Sequence, residues 1–599
     1  MDNTLILEPL KYYEKKAKPE LQKNISEYFN SLVVQSGVDE AANRETVKKY
    51  KKEMATVKHL KERISKYKLV SVLMIILAVL GGIGIIAGIA VAVNSSILAG
   101  LITVGVGIIA LTVGILVNVK KIRPLIKQNE DLLNSHTRMA QALYDEAMAQ
   151  MAPLNALFDD DATYKIIEKT MPELKFDRRF TPLRREMMSG DFDYLDFSDN
   201  EMSAVDTVSG TLFKNPFLFE RQKRMIMGTF TYRGTLTIHW TETYRDSNGK
   251  IRTQTHSQVL QASLEKPKPY YKLETHLGYG SLAAPNLSFS RRGTHIEDLS
   301  EKERDRKVDK GTKRLQKKAR KALAKGGKFQ EMLNNEFDVL FGATDRTNEV
   351  EFRLMYTPLA QQNTLALITT ETGYGDDFDF IKQKRYNIIK SEHAQNWQMH
   401  ISAANYRSFD IDDARRRFAE FNEEFFKSVF FDFAPLMSVP VYQEEPLNSL
   451  KTPEAFKANY TPYEHEVMAN SIGENVFKHP NAVTESILKT KTVRSDGTVD
   501  FVNVTSHSFT EAPRLDFVPV FGGDGRMHNV PVHWFEYIPV ERTSQIAVSA
   551  LDQTERIFNQ KRDHIPLPQN SAYKHGLLAY TVSENANSSD IKEIFNKYL

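Results

Sequence analysis

A few short clusters in this chain carry side chains able to do chemistry. His465-Glu466 opens a zinc-protease pattern, in which two imidazoles one helical turn apart share a metal and the glutamate acts as base. Position 469, where the second His must stand, is Ala. Gly522-Gly-Asp-Gly525 and Gly375-Asp-Asp-Phe-Asp379 offer oxygen ligands to Ca²⁺ or Mg²⁺, without the spacing of a known cation loop. His528 and His533 flank an expected strand, Val530 to Ile538, and their odd spacing puts the two imidazoles on opposite faces. Ser391-Glu392-His393 joins an acid-base site only if the fold supplies a partner. Neither a Gly-x-Ser-x-Gly elbow nor a phosphate-binding Gly-Lys-Ser/Thr loop is present. The expectation is no cofactor and no metal, with catalytic residues unassigned and a non-enzymatic role preferred to a membrane-tethered hydrolase.

The elements that must carry these groups are organised around Leu69 to Val119. Two uncharged apolar runs, Leu69–Val93 and Ile97–Val119, are separated only by Asn94, Ser95 and Ser96. At 1.5 Å per residue either run can cross a hydrocarbon core of roughly 30 Å, so the pair reads as a transmembrane helical hairpin. Between Lys48 and Lys68 stand nine Lys/Arg against Glu53 and Glu62, and Lys120, Lys121, Arg123 and Lys127 follow the second run. Basic flanks stay in the cytoplasm, so a two-pass protein of the bacterial inner membrane with both termini cytoplasmic is expected. Gly84-x-x-x-Gly88 has the small-residue spacing that lets helices approach in lipid. Gly82-Ile-Gly-Ile-Ile-Ala87 matches a dinucleotide fingerprint only as a string, because no strand precedes it.

Length and composition set wider bounds. The 599 residues allow a membrane element and two or three soluble domains. Lys+Arg 79 against Asp+Glu 76 gives net +3, which argues for no global nucleic-acid field. Cysteine is absent, so disulfides and thiol chemistry are excluded. Ile25, Tyr28, Phe29 and Leu32 mark a short amphipathic helix that breaks at Ser36-Gly37. Val47 to Tyr67 and Ile122 to Leu143 repeat apolar residues every three or four positions on either side of the hairpin. They predict a coiled-coil-like antiparallel stalk, on the order of 40 Å long, continuing both membrane helices. The competing reading of hairpin and stalk is a pore-forming or channel-like oligomer.

The fold class expected is α+β: an N-terminal long helical hairpin with two transmembrane helices, then a mixed α/β soluble region with antiparallel hairpins. Its expected parts are N-terminal cytoplasmic helices (1–68), the membrane hairpin (69–119), a returning stalk helix (120–150), an α+β domain with a Thr-rich hairpin and a basic helix (151–335), a second α+β domain (336–445) and a β-rich region (446–599). Phe176 to Asp199 is aromatic and acidic. Gly234 to Tyr244 alternates strictly, placing Thr235, Thr237, His239, Thr241 and Thr243 on one face and Leu236, Ile238, Trp240 and Tyr244 on the other. Asp246-Ser-Asn-Gly249 is the turn. Thr490 to His507 echoes this pattern, as a duplicated module or as shared turn chemistry.

Glu301 to Lys328 holds thirteen Lys/Arg and four acids with a narrow stripe of Val308, Leu315, Ala319, Ala322 and Leu323, a basic amphipathic helix ended by Gly326-Gly327. Its Lys310, Lys313, Arg314, Lys317, Lys318, Arg320 and Lys321 are the candidate contacts to anionic lipid headgroups. A solvated crossover helix is the alternative, and nucleic acid is disfavoured because no aromatic residues are interleaved. Phe337–Phe341 and Glu349–Tyr356 read as two strands before a helix opening at Thr357-Pro358, and a later helix opens at Asp410 with Phe418, Phe421, Phe425 and Val429 as its buried stripe.

Tyr12-Tyr13-Glu14 with Pro19-x-Leu21, a membrane hairpin, then Glu336-Phe-Asp-Val339 and Asn348-Glu-Val-Glu-Phe-Arg-Leu-Met-Tyr-Thr-Pro358 follow in that order. The arrangement resembles a bacterial family of uncharacterised membrane proteins with a domain of unknown function. The likeness covers the N-terminal half and residues 336 to 368. It implies a bacterial membrane protein of this layout and transfers no catalytic residue. The expected role is a membrane-anchored cytoplasmic scaffold or binding protein, whose partners are the lipid bilayer and a protein or a second copy of itself.

Overall fold

The computed structural model describes residues 5–94, 97–159, 161–177, 179–194, 200–245, 247, 249–395, 401, 403–444, 459–551, 568–583 and 588–597. The expected tip residues Ser95 and Ser96, the run Leu195 to Asp199, and Asp246 and Asn248 of the turn lie outside them. The fold is α+β, with long N-terminal helices followed by antiparallel sheets. Two units divide it: Ser26–Phe158 with Ala403–Glu420, and the remainder.

The first unit is helical. A helix runs unbroken over Glu40–Asn94, and its partner runs over Ile97–Val117, a π-helical turn Asn118–Ile122 and Arg123–Asn155. Both are long and apolar enough to cross a membrane. Their apolar side chains stand open, Ile86 at 72% and Leu98 at 73% exposed, as lipid-facing residues would. The two helices meet along glycines spaced seven apart, Gly81 and Gly88 against Gly100, Gly107 and Gly114, and both members of the Gly84-x-x-x-Gly88 pair face the partner, a Cβ on Gly84 meeting the Gly107 Cα at 3.7 Å. A Cβ on Gly107 would meet the Gly81 carbonyl oxygen at 2.8 Å and the Ile85 nitrogen at 2.9 Å. A seven-residue seam of this kind is the packing of a left-handed helix pair.

Where the pair leaves its apolar part, Ser71 donates to Asn118 at 2.7 Å and Lys68 meets Glu130 at 2.9 Å. The stalk then closes on Val57, Leu60, Ile64, Ala140 and Ala147, all buried. Its far end is gripped by aromatic rings and caps. Phe409 packs against Tyr50 and Tyr144 at 5.2 and 5.0 Å between ring centroids. Phe418 sits among Phe29, Phe158 and Tyr406. Asp410 accepts from the Asp412 amide at 3.0 Å, as its capping role predicts, and also receives Lys51 at 2.7 Å.

The second unit holds two antiparallel sheets. The strands of the first are β1 (Leu174–Phe176), β2 (Met202–Leu212), β3 (Asn215–Arg245), β4 (Ile251–Gly280), β5 (Ser288–Arg291), β6 (Phe378–Gln383) and β7 (Tyr386–Ser391), in the order β1-β2-β3-β4-β7-β6-β5. The strands of the second are β8 (Ile487–Asp496), β9 (Val499–Phe521), β10 (Met527–Ala550), β11 (Ser571–Lys574) and β12 (Leu577–Val582), in the order β11-β12-β10-β9-β8. Between the sheets lies the helix Pro462–Ile472, opened by a Thr461/Glu464 capping box. Val467 faces the cluster of Phe180, Leu218 and Ile388, while Met468 and Ala469 face Leu488, Val502 and Val504. It is therefore buried all round from Tyr463 to Ala469.

Two segments read from sequence as strands are helices, Asn335–Phe341 and Glu349–Met355. Each is capped by the residue before it, Asn334 accepting from the Phe337 amide and Asn348 from the Glu351 amide, and these caps decide against the β-prone aromatic content. Arg346 holds them together, bound to Asp338 at 2.6 Å and Glu349 at 3.0 Å with no exposed side-chain surface. The basic helix spans Glu301–Ala324. Leu315 is its buried anchor, whereas Leu323 of the same apolar stripe is 79% exposed.

The helix seam generates a contrast. Gly107→Ala puts a methyl group into backbone atoms and is expected to cost about 1–3 kcal/mol of overpacking. Gly105→Ala meets nothing within 4 Å and is expected to be neutral or slightly stabilising. Thermal unfolding of the detergent-solubilised full chain, followed by circular dichroism, should separate the two; equal melting temperatures would refute the seam.

Candidate interaction surfaces and chemical clusters

β3 and β4 pair continuously from Phe217↔Tyr279 to Arg245↔Ile251, but β2 accompanies β3 only to Arg224, and β7 pairs with β4 only from Leu277 onward. The hairpin therefore outruns its sheet. β9 and β10 do the same, pairing to Phe521↔Met527 while β8 stops opposite His507. The two free hairpins stack face to face through Ile238, Leu260, Ala262, Val530 and Val532, edged by Leu236, Trp240, Val518 and Val520. Lys266 crosses the stack to Asp516 at 2.8 Å and lies over the Trp534 ring at 4.1 Å, and the Gly523 amide donates to Gln258 at 2.7 Å. The result is a four-stranded, two-layer finger.

Its two outer faces differ in chemistry. On β3–β4 the outward residues are Thr235, Thr237, His239, Thr241 and Thr243, opposite Gln261, Val259, Ser257, Thr255 and Thr253, as the alternation predicted. On β9–β10 the outward pairs are Pro513↔Phe535, Leu515↔His533, Phe517↔Pro531, Pro519↔Asn529 and Phe521↔Met527. Of these, Phe517 is 60%, Phe521 65% and Met527 61% exposed. Past the Gly522–Arg526 turn, the ribbon of Thr241–Arg245 and Ile251–Thr255 continues alone, exposed on both faces. Sequence reasoning found the first hairpin and missed the second as its partner; the signal was the apolar content of both alternating sets in 513–535.

The seven residues named for lipid contact all lie on the basic helix, and the helix sorts them onto two sides. Lys310, Arg314 and Lys318 face a groove against the helix Asn335–Phe341, whereas Lys313, Lys317, Arg320 and Lys321 line the outer surface. Neither set forms an ion pair among the described residues. Gly311 permits the close packing, since a Cβ there would strike Val339.

The chemical clusters resolve into structural pairs. His465 is buried and contacts Asp500 at 3.2 Å, and Glu466 binds Lys489 at 2.6 Å and the Ala204 amide at 2.8 Å. Burial raises the Glu466 carboxyl, with Lys489 opposing. Asp376 forms a wholly buried pair with Arg291, and Asp379 accepts from the Gly293 amide. His528 binds Asp524 of its own turn at 2.9 Å, and His533 stands on the other face.

Three groupings the sequence did not reveal are closer to functional geometry. His295, Glu297 and Asp298 place ligand atoms within 4.8 Å of one another, and His295 Nε2 lies 3.3 Å from Glu392. Burial opposes charge on His295, but Glu297 and Glu392 outweigh it and hold the imidazole above its ordinary range. At a β-bulge in β2, buried Asp206 meets His575 at 2.7 Å and Lys574 at 3.0 Å, beside a hollow of about 220 Å³. His575 and Gly576 both have positive φ, forming the tight turn of the β11–β12 hairpin. Burial would raise the Asp206 carboxyl, yet His575 and Lys574 together drive it well below the usual range.

The third grouping includes His393 of the Ser391-Glu392-His393 run. His393 Nδ1 lies 2.6 Å from Asp377 and Nε2 lies 3.5 Å from Asp432, while the Tyr374 ring stacks on the imidazole at 3.9 Å. Burial opposes charge on His393, but Asp432 and Asp377 raise its pKa, and burial pushes Asp432 up to about 6. The arrangement places the imidazole between two carboxylates, with Nε2 also 3.2 Å from the Ser428 carbonyl oxygen and one ring face covered by Tyr374.

Comparison with protein-family models, with curated proteins and with solved structures finds no match for this chain.

The clamp has a pH consequence. Both groups hold protons more tightly in the folded chain, so stability falls as pH rises, first from 3.8 to about 6 through Asp432 and then above 6.5 through His393. The melting temperature of the full chain in detergent should decline as pH rises above 6.5, and His393→Asn should flatten that decline. An unchanged slope in the variant would show that His393 does not carry the proton.

Proposed function

We propose that the chain is a two-pass, membrane-anchored binding protein of the bacterial inner membrane, with both termini cytoplasmic, and that its finger docks a protein partner. The observation that carries this reading is the apolar outer face of β9–β10, continued by the unaccompanied ribbon beyond it. A lone two-stranded ribbon is marginal in water, and a contact that covers it would supply what its own layer lacks. Strand addition is disfavoured, because Pro267, Pro513, Pro519 and Pro539 remove donors from the finger's edges. Recognition then falls to a face. From Pro513 to Phe521 that face is on the order of 25–30 Å long, an apolar patch of a few hundred Å². That is enough to mark an interaction site but short of the roughly 800 Å² per partner of a stable complex, so the distal ribbon supplies the rest.

Three measurements check this reading, two of them exploiting the absence of cysteine. Ser247→Cys should resist a membrane-impermeant thiol reagent in intact cells and react after lysis; reaction in intact cells would overturn the topology. Phe517→Cys should give a cross-linked adduct with a different protein in cells while Thr237→Cys, on the opposite face, gives none. Phe517→Ser with Phe521→Ser should weaken that association more than tenfold at an unchanged melting temperature. An adduct of twice the chain's mass, or equal adducts from both faces, would overturn the heteromeric docking.

A further inference from the structure

The groove beside the basic helix has the makings of an anion site. Arg306, Lys307, Lys310, Arg314 and Lys318 converge on about 630 Å³ of open space, facing Val339 and Thr344. The groove's walls are fixed. Leu315 is buried, Gly311 lets Val339 approach, and Lys318 donates to the Thr344 carbonyl while lying over the Phe329 ring at 4.6 Å. Its one carboxylate, Asp338, is already bound by Arg346 at 2.6 Å and brings no free negative charge. Lys307 donates to Thr294 at 2.9 Å. Burial lowers its pKa, and Arg291 lowers it further against the pull of Asp376. Arg306, Lys310 and Arg314, one helical turn apart, make no ion pair among the described residues.

We infer that this groove binds the phosphate of an anionic lipid headgroup, with Arg306, Lys310 and Arg314 as its ligands. Guanidinium forks suit phosphate oxygens, and an ammonium between them adds a point charge. The inference rests on the membrane anchor proposed above and is independent of the finger's partner. A chain fixed to a bilayer meets headgroup phosphate at high local concentration, so lipid rather than free phosphate is the source. The outer cations Lys313, Lys317 and Lys321 serve as the charge-matched control, because they share the helix but not the groove.

The test uses the full chain in neutral detergent micelles, labelled with an environment-sensitive dye at a single cysteine, Thr344→Cys, on the groove wall. Titration with phosphatidylglycerol should give a saturable emission shift, and phosphatidylcholine should give none. The triple variant Arg306→Gln, Lys310→Gln, Arg314→Gln should weaken binding about a hundredfold or more, because three charge-assisted contacts to one phosphate are lost together. The triple variant Lys313→Gln, Lys317→Gln, Lys321→Gln should stay within a few-fold of the parent. Equal losses in the two triples would replace the groove with net charge, and saturation of the same signal by inorganic phosphate would replace the lipid with a soluble anion. Retained circular dichroism and melting temperature separate loss of the site from loss of the helix. Because no membrane orientation enters the titration, its failure is distinguishable from failure of the Ser247→Cys topology result.

Discussion

Two hairpins that outrun their parent sheets can persist only if each buries a face on the other. The layer of Ile238, Leu260, Ala262, Val530 and Val532 is where they do so. Each of the Ile, Leu and Val side chains contributes about 1.5–3 kcal/mol when fully removed from water, which neither hairpin can obtain alone. The layer also fixes register, since a shift of one residue would turn the Thr ladder inward and the valines out. Gly234 enforces the fit: a Cβ there would collide with the Pro531 carbonyl. One hairpin springs from the seven-stranded sheet and the other from the five-stranded sheet, so the same contact couples the two sheets at a second place, beyond the helix Pro462–Ile472.

That helix shows how the fold spends its polar groups. Enclosed by a sheet on either side, it cannot point Glu464, His465 or Glu466 at water: His465 and Glu466 are paired with Asp500 and Lys489, while Glu464 is held at one oxygen by Thr461 and burial pushes its carboxyl up to about 7. Leaving a buried charge unpaired costs more than the pair itself returns. The residues that resemble the start of a metal site are therefore explained by enclosure. The Asp377–His393–Asp432 clamp obeys the same logic on another surface, holding the short helix Glu392–Gln395 against the long helix Ile411–Met437.

What was legible in the sequence follows from period and sign. The membrane-length helices were plain because nothing interrupts their apolar runs, and the Thr-rich hairpin because a half-buried strand alternates. The glycine seam is only partly legible, because Gly84 and Gly88 show the close approach while the seven-residue run of Gly100, Gly107 and Gly114 becomes a seam only against the partner helix. Phe337–Phe341 and Glu349–Tyr356 read as strands because short runs rich in Phe and Val give no usable period. The informative residues were the capping Asn334 and Asn348, not the apolar ones. The groove beside the basic helix could not be read at all, since it depends on which neighbour packs against Gly311. A list of cations in order along the chain does not say which of them face each other.

The finger's asymmetry is the strongest pointer to a contact. Its edges carry exposed prolines, the means by which sheets resist adding further strands, and one outer face is a ladder of threonines compatible with water. On the other face Phe517, Phe521 and Met527 remain open, although an exposed strand position tolerates a polar residue within about 0.5 kcal/mol. Stability of the isolated finger therefore does not require them, because the layer beneath is already closed by Val518, Val520, Val530 and Val532. Association along the edges is resisted while one face stays apolar, and the proposed docking rests on that asymmetry. Such selectivity suits docking of a surface with its own apolar strip better than capture of an extended strand.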